Sequence, residues 1–325
     1  VAGWRPTASR EALVQRARLL ERTRAFFAAR GVLEVETPVL SRAAVSDPQI
    51  ESLSTQISGI EGRFYLATSP EFAMKRLLAA GYGDLYQIGR VFRDGERGRW
   101  HNPEFTLLEW YRTGFDDAAL MGEVEELARA LLEPKRTWGA AERLPYAEAL
   151  RRHVGVEDAH TASLATLEAA ATRAGVACAG PPLERDALLD LLMGLAVGPM
   201  LGHESPCFII DYPASQAALA RLRPGPAGAP RRAARFELYI DGLELANGFH
   251  ELADATEQRR RFESDLEVRR ARGAPVGPID EHLIAALTAG IPECAGVALG
   301  FDRLVAVALG ASSLAEVMAF PVGEV

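Results

Sequence analysis

A chain of 325 residues with 48% hydrophobic and 25% charged side chains has the balance of a globular protein that buries its core without needing disulfides or metals. The formal net charge of −8 argues against a general nucleic-acid binder, whose affinity rests on neutralising phosphates, but it leaves room for local arginines to hold an anion. Cys178, Cys207 and Cys294 are odd in number and form no C-x-x-C pair, which points to reduced, buried thiols; no 18-residue apolar run and no leader-like start at Val1–Pro6 occur, so a cytoplasmic protein without membrane contact is expected.

The first element is an amphipathic helix over 10–30. Leu13, Ala17, Leu20 and Phe27 fall near one face, Ser9 can cap its start and Gly31 can end it. The β-branched stretch Val32–Thr37 follows and stops at Pro38. Strands are predicted at 63–68, 85–93 and 104–112, then a helix over 117–132 with Leu120, Val124, Leu127 and Leu131 on one stripe. Helices fit 162–175 and 184–197, a strand fits 207–211, and Arg223–Pro230 reads as a loop. Strands at 235–241 and 243–251 flank Asp241-Gly242, a hairpin signal. A charged helix over 255–272 has a thin apolar face, as a solvated surface helix does. A short helix near 280–289 ends at Gly290, and a strand over Gly296–Gly300 leads into a helix that Asp302 can cap. Strands bunched in hairpins, without regular β-α alternation, predict α+β: a mainly antiparallel sheet flanked by helices. One domain over 1–325, with a helical insertion at roughly 145–205, is the expected organisation.

Four segments carry unusual chemistry. On the strand at 104–112, Phe105, Leu107, Glu109 and Tyr111 share a face, and a carboxylate on a sheet face needs a cationic partner. Arg93, Arg97, Arg99 and His101 line the loop before it, a grouping suited to polyphosphate or simply to a solvated hairpin. In the hairpin at 235–251, Glu237 and Glu244 lie diagonally on one face and suit a hard cation. Glu251, seven residues past Glu244, reaches that face only through a bulge, expected at Gly248. The small Ala298 and Gly300 allow a ligand to approach the backbone, and Arg303 projects from the following helix start. Thr68-Ser69-Pro70-Glu71 leads into a helix whose dipole Glu71 complements.

Taken in order, these residues resemble the class II aminoacyl-tRNA synthetases. Pro38 after its helix and strand is similar to motif 1, Phe92-Arg93 through Glu104-Phe105 to motif 2, and Gly300-Phe301-Asp302-Arg303 to motif 3. His101-Asn102-Pro103-Glu104-Phe105-Thr106 and Asn247-Gly248-Phe249-His250-Glu251 resemble the lysyl-tRNA synthetase forms. Motif 1 begins so near residue 1 that no anticodon-binding domain is expected. Over nearly its whole length the chain looks like the stand-alone elongation factor P (R)-β-lysine ligases.

The resemblance implies ATP and Mg²⁺ as cofactors and a two-step reaction. The amino acid is activated as its adenylate and then transferred to a lysine side chain of elongation factor P. A homodimer is implied, and tRNA is not the expected acceptor. Catalytic roles fall to Arg93, on the α-phosphate, and Arg303, on the γ-phosphate. Phe105 would stack on adenine, with Asp94, Gly95, His101, Asn102, Leu245 and Gly300 also around the nucleotide. Glu237 and Glu244 would hold Mg²⁺. Glu71, beside Ser69 and Pro70, would receive the backbone-side ammonium of (R)-β-lysine or lysine. Glu109, Tyr111 and Glu251 would receive the distal ammonium, and Asn247 would position the carboxylate. A minimal enzyme activating α-lysine and a non-catalytic paralogue are the other readings. Two departures stand out: Glu96 lies one place later than the glutamate of the lysyl-tRNA synthetase motif 2, and Ala298 stands where those enzymes tend to have glycine. Its methyl would disfavour α-lysine.

Overall fold

The computed structural model describes residues 4–132, 138–176 and 183–323; Cys178 lies outside them. In chain order the elements are α1 (Arg10–Ala28), β1 (Leu33–Glu34), β2 (Leu40–Ser41), β3 (Ser54–Ile57), β4 (Ile60–Leu66), α2 (Glu71–Ala79), β5 (Leu85–Phe92), β6 (Glu104–Thr113) and α3 (Asp117–Leu132). There follow β7 (Glu142–Pro145), α4 (Tyr146–Val154), α5 (Leu164–Arg173), α6 (Arg185–Leu192), β8 (Cys207–Pro213), β9 (Leu222–Arg223), β10 (Arg232–Ile240) and β11 (Leu243–His250). The last are α7 (Ala255–Ala271), α8 (Glu281–Ala289), β12 (Cys294–Gly300) and α9 (Phe301–Leu309). The chain is α+β, as expected, and its strand pairs are mostly antiparallel. The contacts divide it into two compact units. One holds the described residues up to Phe115, Leu127–Leu132 and everything from Leu252; the other holds Asp116–Glu126 and the described residues up to Glu251.

In the first unit the strands run β1–β5–β6–β12, with β1 parallel to β5 and the others antiparallel. Ser9 caps α1 by accepting the Ala12 N–H. The buried face of α1 is Leu19, Thr23, Phe26 and Phe27, whereas Ala17 is exposed and Leu13 and Leu20 are only half-buried. Aromatic packing decides this rotation: Phe27 stacks on Tyr86 at 4.4 Å and meets Trp110 edge-on at 5.3 Å. The strand expected across Val32–Thr37 shortens to β1, and the chain then joins a separate small sheet ordered β2–β4–β3.

Two helices differ from expectation. Asp302 does not cap α9; Gly300 occupies that position, and the Asp302 carboxylate accepts the Thr106 N–H at 2.6 Å and pairs with Arg16 at 2.6 Å. A buried carboxylate takes the stronger charged partner over its own helix end. Nor is α7 a solvated helix: it buries Gln258, Phe262, Leu266 and Arg269, so polar side chains fill half of its inner stripe. The hydrogen bonds of Arg269 to Asp47, Ile50 and Glu51 are tertiary, which periodicity of apolar residues cannot register.

The second unit runs β11–β10–β8–β7, with β9 also beside β10. Asp241 and Gly242 both have positive φ, 53° and 73°, as a tight two-residue hairpin turn demands. A Cβ at Gly242 would come within 2.8 Å of the Pro199 carbonyl. The region between 145 and 205 contains α4, which the sequence reading had not picked out, together with α5 and α6. The helix expected to run to 197 ends at Leu192 and gives way to a π-turn over Met193–Val197.

Candidate active site

In the first unit, antiparallel pairing sets out a continuous face. Register places Glu109 between Gln87 of β5 and Ala298 of β12, and Tyr111 between Leu85 and Gly296. Glu109 is buried and accepts hydrogen bonds from Ser69 Oγ at 2.7 Å and from the Tyr111 hydroxyl at 2.8 Å. Ser69 Oγ also accepts the Glu71 N–H at 3.0 Å, which ties the start of α2, after Pro70, to the carboxylate on β6. Glu71 carries a partner that the sequence reading missed. The buried Lys75 donates to it at 2.6 Å. The signal was available, since the two are four residues apart in a helix that starts at Glu71.

Farther along β6, the Arg93 guanidinium sits over the Phe105 ring at 5.1 Å. It donates to the Thr68 carbonyl at 3.3 Å and lies 3.5 Å from Glu96. The displaced Glu96 therefore neutralises Arg93 from within the loop. Asp94 accepts the N–H of Gly95, whose φ of 77° lets the loop turn. Arg303 donates to the Trp100 carbonyl at 3.2 Å and approaches His101 Nε2 at 2.8 Å. Arginine only donates, so Nε2 accepts and the imidazole is neutral with its proton on Nδ1. Burial, then the charges of Arg303 and Arg93, hold the His101 pKa below its ordinary value, against the opposing pull of Glu96. Asn102 is committed to backbone: its amide donates to the Glu104 carbonyl at 2.5 Å and accepts the Val322 N–H at 3.0 Å. Gly300, opposite Leu107, closes this end of β12.

In the second unit, Glu237 stands opposite Asn247 across the β10–β11 ladder. The register shifts between Leu238 and Tyr239, so Leu245 is the extra residue on β11. The bulge needed to bring Glu244 and Glu251 onto one face thus exists, but at Leu245 and not at Gly248. A bulge beside the turn bends the strand where Leu245 is buried. Glu237 accepts from Arg235, from the Tyr239 hydroxyl at 2.8 Å and from Asn247 at 3.3 Å. Burial, then the Glu237 and Glu244 charges, push the Tyr239 pKa well up. Burial disfavours the Arg235 charge, but Glu237 above all outweighs it and holds the guanidinium protonated. Glu251 bridges to Ala220 and is buried.

The model of the class II tRNA synthetases (D, K and N) matches residues 2–324. The chain belongs to the class II tRNA synthetase family. Within it, the chain is 50% identical to the elongation factor P–(R)-β-lysine ligase of Vibrio cholerae, over 98% of this chain and 97% of that protein. Proteins of the same name from Salmonella arizonae and Yersinia enterocolitica are 49% and 48% identical, each over 99% of this chain and 98% of their own. Among the residues that the sequence singled out, Arg93 stands over the Phe105 ring and Arg303 reaches back to His101. Beneath these first-named residues lies a supporting set that motif spacing passed over: Lys75 under Glu71, Arg235 and Tyr239 under Glu237, and Arg16 under Asp302. Arg235 and Tyr239 flank Glu237 at two residues on one strand face, so strand periodicity could have found them.

Proposed function

We propose that this chain is an ATP-dependent ligase that activates (R)-β-lysine as its adenylate and joins it to a lysine side chain of elongation factor P. The observation that carries this reading is near-full-length identity of about half to ligases bearing that name. The geometry of the first unit supports it: one strand face passes from the ring of Phe105 to the buried Glu109 with its two hydroxyl donors. An aromatic shelf suits adenine, and a buried carboxylate suits an ammonium.

In this reading Arg93 holds the α-phosphate and Arg303 the γ-phosphate, with Asp94, Gly95, His101, Asn102, Leu245 and Gly300 around the nucleotide. The substrate carboxylate attacks the α-phosphate and displaces pyrophosphate, while the two guanidiniums offset the charge that builds on the phosphate oxygens. Glu109, Tyr111 and Glu251 hold the distal ammonium. Glu71, with Ser69 and Pro70, takes the other, Asn247 orients the carboxylate, and Ala298 shapes the pocket floor. The acceptor amine then attacks the activated carbonyl and AMP leaves. Pairing with Tyr239 puts Glu244 on the Glu237 face, and these two acceptor-only groups fit a hard divalent ion. Mg²⁺ bound there would neutralise phosphate charge. The exposed Leu33, Val39 and Leu40 around Pro38 favour a homodimer built on that segment. No helix among the described residues is long and apolar enough to cross a membrane, and we place the reaction in the cytoplasm.

The test is ATP–pyrophosphate exchange with α-lysine and with (R)-β-lysine, followed by tracing labelled amino acid into elongation factor P or tRNA. Exchange that prefers (R)-β-lysine, with label in elongation factor P, is expected. Label in tRNA alone would overturn the reading in favour of a minimal lysyl-tRNA synthetase, and no exchange with either amino acid would favour a non-catalytic paralogue.

A further inference from the structure

Arg269, in the last turn of α7, is 3% exposed. Burying a guanidinium is costly unless its donors are matched, and here they are matched by a single neighbourhood. Nε donates to the Pro275 carbonyl at 2.8 Å. Nη1 donates to the carbonyls of Asp47 at 2.8 Å and Ile50 at 3.0 Å. Nη2 pairs with the Glu51 carboxylate at 2.6 Å. One turn earlier on α7, Asp265 accepts the Ser46 hydroxyl at 3.1 Å. Residues 46–51 belong to no helix and to no strand of a sheet, so these contacts are what fix their path.

That segment in turn grips the loop of motif 2. Glu51 and Asp94 form an isolated antiparallel bridge, in which the Asp94 N–H donates to the Glu51 carbonyl at 2.9 Å. Asp94 is next to Arg93 and accepts the Gly95 N–H. The end of α7 is therefore connected to the backbone beside Arg93 by one relay: Arg269 to Glu51, and Glu51 to Asp94.

We propose that Arg269 is a positioning residue for nucleotide binding, which sets the Arg93–Gly95 loop through Glu51. This rests on the reading of that loop as the phosphate site. Arg269 touches no proposed substrate residue, so its removal acts on ATP and leaves the amino-acid pocket at Glu109 and Tyr111 as it is. A loop displaced by about an ångström loses orders of magnitude in productive geometry, so the effect is measurable.

The experiment compares Arg269→Gln, Arg269→Lys, Glu51→Gln and, as a separate arm, Arg93→Gln in the full-length protein. The KM values for ATP and for (R)-β-lysine are read from pyrophosphate exchange, and backbone hydrogen exchange is followed over residues 93–95. Arg269→Gln is expected to raise the ATP KM about tenfold or more, to leave the amino-acid KM within about twofold, and to speed exchange at the Asp94 amide. Arg269→Lys and Glu51→Gln are expected to move the same readouts less far. An ATP KM within twofold of the parent, or both KM values rising together, overturns the proposal. If Arg269→Gln does not fold, the other two variants decide it by the same criterion. Arg93→Gln separates the two ideas. If that variant too leaves ATP binding unchanged, the reading of the loop fails; if it alone is impaired, only the role of Arg269 fails.

Discussion

Ala298 stands directly across from Glu109 in the antiparallel ladder of β12 and β6. Side chains opposite one another in such a ladder have Cβ atoms about 5 Å apart, so the alanine methyl lies against the carboxylate that we assign to the substrate's distal ammonium. Its neighbour on that face, Gly296, stands opposite the buried Tyr111 and adds no side chain there. Ala298→Gly is expected to improve kcat/KM for α-lysine relative to (R)-β-lysine by about tenfold, the scale of one methyl in a pocket. Pyrophosphate exchange with both amino acids measures it. An unchanged ratio would remove Ala298 from the specificity determinants.

Lys75 is fully buried against Glu71. Removing its ammonium strands a carboxylate in a shielded place, so Lys75→Met should destabilise the fold by about 3 kcal/mol, the usual scale for breaking a buried pair. It should also raise the amino-acid KM, because Lys75 then no longer holds the Glu71 carboxylate in place. Urea unfolding checks the first effect and exchange kinetics the second. A stable variant with parental KM would show that the pair is dispensable.

His101 is held neutral by burial and by Arg303. Its folded pKa is lowered, so the unfolded chain takes up a proton first as pH falls below the ordinary 6.5. The stability tied to the neutral ring is present above 6.5 and is lost as pH falls through the lower folded value. Protonation also turns Nε2 from acceptor to donor against Arg303. The ATP KM of the parent should therefore rise on acidification below pH 6.5, and His101→Gln, which keeps an acceptor, should flatten that rise. A parallel slope in both proteins would exclude His101 as its source.

Asp265 has its pKa raised to about 6, chiefly by burial and partly by Asp47, with the Ser46 hydrogen bond opposing. Here the folded state binds the proton more tightly. The cost is absent below the ordinary 3.8, grows as pH rises toward 6, and is complete above it. Asp265→Asn should raise the melting temperature at pH 7 and give no gain at pH 4. Equal gains at both values would point to a cause other than ionisation.

Glu244 stands opposite Tyr239, two residues along β10 from Glu237, so the two carboxylates share one face. Glu244→Gln should raise the Mg²⁺ concentration needed for half-maximal exchange by about tenfold, consistent with the loss of one of two carboxylates from a hard-cation site. Titration of Mg²⁺ in the exchange assay provides the check, and an unchanged midpoint would take Glu244 out of the metal site.

Local chemistry carried much of this protein in the sequence itself. The faces of β6 and β12, the turn at Asp241-Gly242 and the order of the three motifs follow from two-residue periodicity, from glycine's access to positive φ and from residue spacing, all properties of short segments. What supports those residues was settled in three dimensions. The inner face of α1 turned to meet Tyr86 and Trp110, Asp302 left its helix end for Arg16 and Thr106, and the bulge moved to Leu245. Charged side chains on a helix such as α7 look solvated until a distant segment supplies their partners. Arg269 shows the reason: every acceptor beyond its own helix end, at Asp47, Ile50 and Glu51, lies more than two hundred positions away in the chain, and no periodicity along one segment encodes such a contact.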